Sequence, residues 1–380
     1  MSFSAMLNAA IAAAGHVLWW TPGRFRIAGA LGRSYGLRCV VFHNIAESQT
    51  AFTRGIRVTV SARQFETALR YLTAYYNPIS LQDVLTDCDG RGLPKRAVLV
   101  SFDDAYASVY EIGVPLCRKY RIPAAFFVNA SVLDNRRLLP DNLICFVTST
   151  IGFSAVSAAA RSLPGRETTT LRSLTQVFGE FLPSLSLAER ESFLCEVRRI
   201  ARINETRIAE EARLYLTRQQ LRELHAANCE IGNHTYTHTH CRRLTRADLI
   251  TEIGMNKAEL EDITGRPVRA FSQPYGSSED LTPELLEHLS DSGHEAAFLS
   301  ESVANPRGAD RYHLDRVSTL TTTYEDLFLN LEINPRLRAT RNRWTRAHAD
   351  GRQALSTEKK PGIPPTAGSI YPNDRTEKRA

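Results

Sequence analysis

The 380-residue sequence lacks the features of several protein classes. Its seven cysteines are scattered and include no Cys-x-x-Cys pair, which argues against a disulfide scaffold. The apolar stretch near the start, residues 5–20, is short for a membrane span. No Lys or Arg precedes it, so it does not resemble a secretory signal. These absences predict reduced thiols and a cytoplasmic location.

A basic charge is absent from most of the chain. The net charge is +6, but eleven of the 47 Lys and Arg residues and only four of the 41 Asp and Glu residues lie in residues 336–380. These residues therefore carry +7 and the rest of the chain −1, so the charge does not indicate nucleic-acid binding. The composition of residues 331–380 predicts a disordered, basic tail. Contact of this tail, or of the apolar segment 1–36, with a membrane surface is the alternative.

Short apolar runs alternate with stretches of helical periodicity between residues 37 and 330. The runs at residues 37–43, 96–102 and 124–128 are each followed by such a stretch. This alternation predicts an α/β fold with a parallel sheet or barrel. It breaks at about residues 134–214, where consecutive helices predict an α-helical insertion. An independent domain is the alternative.

Polar residues stand at predicted strand ends, where functional residues lie in a parallel α/β fold. Asp103 and Asp104 follow the run VLVSF, and adjacent carboxylates repel unless a cation, a proton or solvent compensates them. A helix cap would need only one of them. His234 and His238 can face one point if the segment turns helical. Two His and one Asp make a three-ligand metal site, and the second Asp is then free to take a proton from a metal-bound water.

Three motifs occur in the order of a known family. SFDDAY, HTYTH and the end of FSQPYG resemble the motifs of the polysaccharide deacetylases of carbohydrate esterase family 4. The family usually has Thr and Gly where this chain has Ser101 and Ala105. The resemblance spans residues 37–330 apart from the insertion. It implies a distorted (β/α) barrel that binds Zn²⁺ or another divalent ion.

The resemblance also implies roles for individual residues. Asp103 is expected to be the catalytic base, and the backbone N–H of Tyr275 is expected to stabilise the oxyanion of the tetrahedral intermediate. The expected metal ligands are Asp104, His234 and His238. The expected substrate contacts are the three residues of the last motif, Pro274, Tyr275 and Gly276.

Two departures from the family pattern are visible. Many members have an Arg that pairs with the base, but this chain has Ser272 there, and Arg316 is the candidate substitute; a surface arginine is the alternative. The late Leu-x-His motif, which normally supplies the general acid, is missing after residue 320. His43 instead follows an apolar run near the start, which resembles a circularly permuted subset of the family. His43 would then protonate the leaving amine; a strand-end structural histidine is the alternative.

The resemblance therefore implies a metal-dependent hydrolase that removes acetyl groups from N-acetylated amino sugars in a glycan or glycolipid. Two other functions stay open. One is a carbohydrate-binding barrel that has lost catalysis, and the other is a hydrolase of non-sugar amides. The remaining histidines match no motif and are expected to be surface or structural residues.

Overall fold

The computed structural model of the protein describes residues 13–338 apart from residues 31–34, 88–91, 228, 319 and 322. Within this part the chain forms eleven strands, most of them short. They are β1 (Tyr35–Phe42), β2 (Asn44–Ile45), β3 (Thr59–Val60), β4 (Asn77–Pro78), β5 (Ala97–Phe102), β6 (Ala124–Val128), β7 (Glu230–Asn233), β8 (Ala270–Ser272), β9 (Ala296–Phe298), β10 (Asn305–Pro306) and β11 (Val317–Ser318). The central strands are apolar runs covered on both faces, and all residues of β5 and β6 are buried.

Nine of these strands form one mostly parallel sheet. Its order is β10-β1-β5-β6-β7-β8-β9, with β11 also paired to β1 and β4 to β5. β1 and β5 run parallel in unbroken register, from Leu37 beside Ala97 to Phe42 beside Phe102. The sheet curves through 244°, so it is an incomplete barrel. The predicted distorted α/β barrel is confirmed, and the carboxyl ends of β1, β5, β7 and β8 meet at one edge.

Helices pack around this sheet in the described residues. They are α1 (residues 13–19), α2 (Arg24–Ala30), α3 (Ala62–Tyr75), α4 (Leu81–Thr86), α5 (Val114–Lys119), α6 (Pro140–Thr150), α7 (Phe153–Arg161), α8 (Leu174–Gln176), α9 (Leu187–Ala201), α10 (Glu205–Ala212), α11 (Arg218–Ala226), α12 (Arg246–Leu249), α13 (Asn256–Thr264), α14 (Pro283–Asp291) and α15 (Tyr324–Phe328). Capping boxes explain where several of these helices begin. At α3, the Ser61 hydroxyl accepts from the Gln64 amide while the Gln64 side chain accepts from the Ser61 amide.

The stretch between β6 and β7 is helical and contains no described strand. Helices α6 to α10 occupy residues 140–212. Their buried side chains, such as Leu143 and Phe193, belong to the same hydrophobic cluster as Val100 of β5 and Phe126 of β6. The stretch predicted as an insertion at 134–214 therefore packs into the core of the barrel. This packing brings the first turn of α6 close to the strand ends.

The apolar segment near the start packs partly against the barrel. Trp19 of α1 is buried and contacts the rings of Tyr71, Tyr75 and Phe328. Trp20 beside it is exposed. Across the described part of the chain, no helix has the length and apolar character needed to span a membrane. Residues 1–12 lie outside the described part.

The ordered chain continues past the predicted start of the tail at residue 331. The helix that begins with α15 extends to residue 338. Glu332 is buried and accepts hydrogen bonds from Arg38 of β1 at 2.8 and 2.9 Å, from the hydroxyl of Tyr76 at 2.6 Å and from Arg336 at 2.6 Å. Composition suggested disorder because it counts these charges without showing that they are paired. The rest of the predicted tail lies outside the described residues.

Candidate metal and active site

The two adjacent aspartates lie at a sharp turn after β5. The Asp103 amide donates to the carbonyl of Phe42 at the end of β1, at 3.1 Å. Asp104 and Ala105 then adopt left-handed conformations, with φ of 70° and 57°. Such values are uncommon for residues with a side chain, and they occur preferentially at functional sites. Both carboxylates are buried, at 3% and 5% exposure.

The two histidines lie on an irregular loop that follows β7. The segment does not turn helical, because Thr235 and His238 are left-handed, with φ of 61° and 55°. The loop is fixed by the buried carboxylate of Glu252, which accepts from the amide and hydroxyl of Thr237 at 2.9 and 2.7 Å. The loop nevertheless directs His234 and His238 toward one point.

Asp104, His234 and His238 form a compact cluster of metal-ligating atoms. The Nε2 atoms of His234 and His238 lie 3.3 and 3.4 Å from Oδ1 of Asp104, and all three donors lie within 4.8 Å of one another. Donors that bind zinc at about 2.0–2.2 Å in a tetrahedral arrangement are about 3.3–3.6 Å apart. Oδ1 of Asp104 is buried and has no hydrogen-bond donor among the described residues. The cluster therefore fits a divalent cation.

The second ring nitrogen of each histidine is bonded away from the cluster. Nδ1 of His234 donates to the carbonyl of Ser272 at 2.8 Å, and Nδ1 of His238 donates to Oδ2 of Asp141 at 2.7 Å. These bonds orient both rings with Nε2 toward Asp104, as metal-binding histidines require.

The charges around the cluster are strongly coupled. Burial favours the neutral imidazole, but the carboxylates of Asp104 and Asp141 raise the pKa of His238 to about 9. Burial likewise opposes the ionisation of Asp104, but the positive charge of His238, together with the nearby His234 side chain, lowers the pKa of its carboxyl group. A cation bound here would replace a proton on His238, so metal binding would release that proton.

Asp103 is held by Arg316, which reaches it from the segment leading into β11. The two terminal nitrogens of Arg316 donate to the two carboxylate oxygens at 2.8 and 2.7 Å, and its Nε donates to the carbonyl of Leu299 at 3.0 Å. Arg316 is fully buried, and the Ser272 hydroxyl accepts from it at 2.7 Å. Burial opposes the ionisation of Asp103, but Arg316 outweighs it and lowers the pKa. Arg316 thus pairs with Asp103, as expected for a substitute for the arginine that many family members have at the position of Ser272.

His43 follows β1 and lines the same cavity as the cluster. This cavity has a volume of about 250 Å³, and its lining includes His43, Asp103, Asp104, His234 and His238. Burial lowers the pKa of His43, and the carboxylates of Asp104 and Asp103 only partly offset this effect. The imidazole is therefore mostly neutral at pH 7 and must gain a proton before it can act as an acid.

The third motif forms a tight turn after β8. Tyr275 is left-handed, with φ of 60° and ψ of −12°. Gly276 also has a positive φ, and a Cβ there would lie 2.5 Å from the Ser300 nitrogen, so the turn requires glycine. Tyr275 and Gly276 line the cavity, whereas Pro274 is buried and is not among the lining residues.

Three residues around the site were not identified from the sequence. Asp141 contacts His238, the ring of His240 stacks on that of Tyr275, and buried Arg190 donates to the carbonyls of Thr237 and His238 at 3.1 and 3.2 Å. Asp141 and Arg190 belong to the helical insertion. The only sequence signal was Pro140-Asp141 at a helix start, which ordinary helix capping explains.

Comparisons with known proteins agree with this geometry. Residues 187–297 match the family model for polysaccharide deacetylase; this range holds His234, His238 and Tyr275 but not Asp103 or His43. A stretch of 71 residues is 34% identical to poly-beta-1,6-N-acetyl-D-glucosamine N-deacetylases of Staphylococcus aureus strains, covering 18% of this chain and 24% of theirs. The chain thus spans about a quarter of the length of these curated relatives.

Two solved structures share the fold. The deacetylase PplD of Streptococcus pyogenes, in complex with acetate, superposes with a TM-score of 0.52 and 14% identity, covering 78% of this chain and 98% of that one. The putative polysaccharide deacetylase BA0330 of Bacillus anthracis superposes with a TM-score of 0.50 and 14% identity. The superposition covers 78% of this chain and 68% of that one. Residues 187–297 therefore match the polysaccharide deacetylase family, and the likeness to these two structures shows that the chain shares their fold.

Proposed function

We propose that the protein is a metal-dependent deacetylase that hydrolyses the acetamide group of N-acetylated amino sugars. The observation that carries the proposal is the position of Asp103. Its Oδ2 lies 3.6 Å from Nε2 of His234, so an ionised carboxylate that is not needed as a ligand stands beside the ligand cluster. A barrel that only binds carbohydrate has no need for such a group.

Asp104, His234 and His238 are the residues that would hold Zn²⁺ or a similar divalent ion, and three protein ligands leave room for water and substrate. When bound, such an ion would polarise the acetamide carbonyl and make water a better nucleophile. Metal content is therefore expected to depend on these three side chains.

The other side chains supply proton transfer and orientation. As the oxygen of the attacking water bonds to the carbonyl carbon, Asp103 accepts a proton from that water. Arg316 keeps Asp103 ionised for this purpose. The Tyr275 N–H donates to the carbonyl oxygen as negative charge develops on it. His43, in its acid form, gives a proton to the nitrogen as the C–N bond breaks. The products are acetate and a free amine.

The cavity is small for a polymer substrate. At about 250 Å³ it can hold an acetamide group and part of one sugar ring, so the rest of a glycan would extend outside it. The relatives that share 71 residues with this chain are named for a β-1,6-linked N-acetylglucosamine polymer. Oligomers of that polymer are therefore the first substrates to test, followed by β-1,4-linked oligomers and N-acetylated glycolipids.

Acetate release from this panel by the Zn²⁺-loaded protein tests the proposal. We expect Asp103→Asn to keep the metal and lose roughly 10²–10⁴-fold in rate, because it removes only the general base. Asp104→Asn should lose metal affinity as well. Asp134→Asn, which changes a carboxylate at the surface start of the insertion, is the matched control. Release from N-acetyl amino acids alone would favour a non-sugar amidase, and oligomer binding without any acetate would favour a binding protein.

A further inference from the structure

Asp141 joins two parts of the site that come from different strands. Its Oδ2 accepts one hydrogen bond from Nδ1 of His238 at 2.7 Å and another from the hydroxyl of Tyr275 at 3.1 Å. His238 follows β7 and Tyr275 follows β8, whereas Asp141 lies in the first turn of α6. Its side chain is only 13% exposed, so water competes little for these bonds.

The start of α6 is fixed from behind by a buried polar network. The next residue, Asn142, is fully buried and donates to the Tyr106 hydroxyl at 2.8 Å. The Leu139 amide donates to the hydroxyl of Tyr215 at 2.9 Å. Tyr106 lies two residues after Asp104, so the network ties α6 to the loop that carries the aspartates. Asp141 is therefore held on a rigid support.

The ring of Tyr275 is held on its other side as well. It stacks on His240 with a centroid separation of 3.8 Å and an interplanar angle of 5°. His240 is itself fixed, because Nδ1 bonds to the buried carboxylate of Asp280 at 2.8 Å and Nε2 to the carbonyl of Phe178 at 3.2 Å. Phe178 belongs to the insertion. The insertion thus contacts Tyr275 directly through Asp141 and indirectly through His240.

This anchoring matters because the Tyr275 backbone is in an unfavourable conformation. A left-handed φ at a tyrosine persists only where the surrounding structure enforces it. The orientation of the Tyr275 N–H depends on that φ. The side-chain contacts to Asp141 and His240 hold it together with the backbone hydrogen bonds of the turn, from Gly276 to Gln273 and from Ser300 to Gly276.

We propose that Asp141 is a positioning residue that fixes the metal ligand His238 and the oxyanion donor Tyr275 relative to each other. The helical insertion is then a working part of the active site, because it carries Asp141. This inference rests on the proposed function for the role of the Tyr275 N–H, but its link to metal binding does not.

Zinc titration of the metal-stripped protein by calorimetry tests the link to His238 without any deacetylation assay. We expect Asp141→Ala to bind Zn²⁺ about 10–100-fold more weakly, as is usual when the partner of a metal-binding histidine is removed. Asp141→Asn, which keeps the shape, should fall between Asp141→Ala and the unmodified protein. Tyr275→Phe and the control Asp134→Asn should bind normally. An Asp141→Ala affinity within twofold of normal would overturn the inference.

The link to Tyr275 is tested by structure and by turnover. A crystal structure of zinc-loaded Asp141→Ala should show the Tyr275 backbone moved away from its left-handed conformation, and an unchanged backbone would refute the link even if the protein hydrolyses no acetamide. In an active enzyme saturated with zinc, Asp141→Ala and Tyr275→Phe should each lower kcat by roughly 10–100-fold with little change in KM. The double variant should be no slower than Asp141→Ala, because both changes break the connection between Asp141 and Tyr275. Additive losses would contradict this role.

Discussion

At the scale of single residues, five of the twelve non-glycine residues with a positive φ in the described part of the chain lie around the ligand cluster. Asp104, Ala105, Thr235, His238 and Tyr275 all have a positive φ, and all lie on the loops that build the site. Each of these conformations is unfavourable by about 1–3 kcal/mol and needs compensation from neighbouring contacts. The buried partners of the loops, such as Glu252 and Asp141, provide it. The site is therefore preorganised by the fold before any ligand binds.

The buried pair of Arg316 and Asp103 makes a prediction at this scale. Arg316→Met leaves a buried carboxylate without its partner, which should destabilise the protein by about 3–5 kcal/mol in chemical denaturation. The pKa of Asp103 should rise, because Arg316 is the strongest of the groups that lower it. A base works only when deprotonated, so the acid limb of the kcat/KM profile should move to higher pH.

The control for this prediction is Arg199→Met. Arg199 forms an exposed pair with Glu196, and such pairs contribute at most about 1 kcal/mol. Arg316→Lys should show an intermediate loss, because lysine keeps the charge but not the two parallel hydrogen bonds. An Arg316→Met enzyme with normal stability and an unmoved acid limb would show that Asp103 does not depend on this pair.

The sequence predicts site residues that belong to a local motif, but not those that reach the site only through tertiary packing. Asp103, Asp104, His234 and His238 carry local motifs at strand ends, and the structure brings them together. Asp141 could not be found in this way, because its contact with His238 spans 97 residues and arises from the packing of the insertion. Residues recruited by packing leave no pattern in a single sequence.

At the scale of secondary-structure elements, β1 has the largest effect on the proposed mechanism. It pairs with β5 in parallel over six residues, and so delivers His43 to the cavity beside Asp103. This is the arrangement that the circularly permuted subset would require. In the proposed mechanism the first strand, rather than a late one, supplies the acid.

Replacement of His43 tests this use of β1. His43→Ala should leave zinc content and KM nearly unchanged while kcat falls by roughly 10²–10⁴-fold, the usual loss for a general acid. The acid form of His43 is lost as pH rises through its pKa, which lowers activity at high pH. This alkaline fall should be absent from the pH profile of His43→Ala. His313→Ala changes an exposed histidine and is the control. Ordinary turnover in His43→Ala would leave the acid to be sought elsewhere.

The longer elements were predictable because they repeat apolar residues with the period of a strand or helix. The two-residue strands β2, β3, β4, β10 and β11 were not, because so few residues establish no periodicity. Their pairing depends on neighbours that are distant in sequence. The same holds for the helix that continues to residue 338, whose charged residues become buried only when β1 and α3 are present.

At the scale of the whole molecule, a buried histidine that does not line the candidate active-site cavity links stability to pH. Burial, with a smaller contribution from the charge of Lys257, lowers the pKa of His294 to about 3. Its ring nitrogens contact Asn233 at 3.2 Å and Ser292 at 2.9 Å. In the unfolded chain the pKa returns to about 6.5. Below that pH the unfolded state binds a proton that the folded state does not, so acid destabilises the fold.

Urea denaturation measures this effect. Between pH 7.5 and pH 5.5, His294 should reduce the free energy of unfolding by about 1.4 kcal/mol. His294→Asn should remove that part of the pH dependence, although it also lowers stability at all pH values by disturbing the core. His313→Asn is the control and should keep the full dependence. An identical pH slope in His294→Asn and the unmodified protein would rule out His294 as the cause.

The hydrogen bonds between Arg38 and Glu332 also constrain the order of events during synthesis. Their 294-residue separation means that β1 leaves the ribosome long before the carboxylate that pairs with its arginine. Until then β1 is not fully covered, and Arg38 does not have Glu332 as its partner. Contacts between residues so far apart in sequence also form slowly. The barrel therefore cannot finish folding from its N-terminus while the chain is still being synthesised. We therefore expect the first strand of a nascent chain to stay incompletely packed until residue 332 emerges.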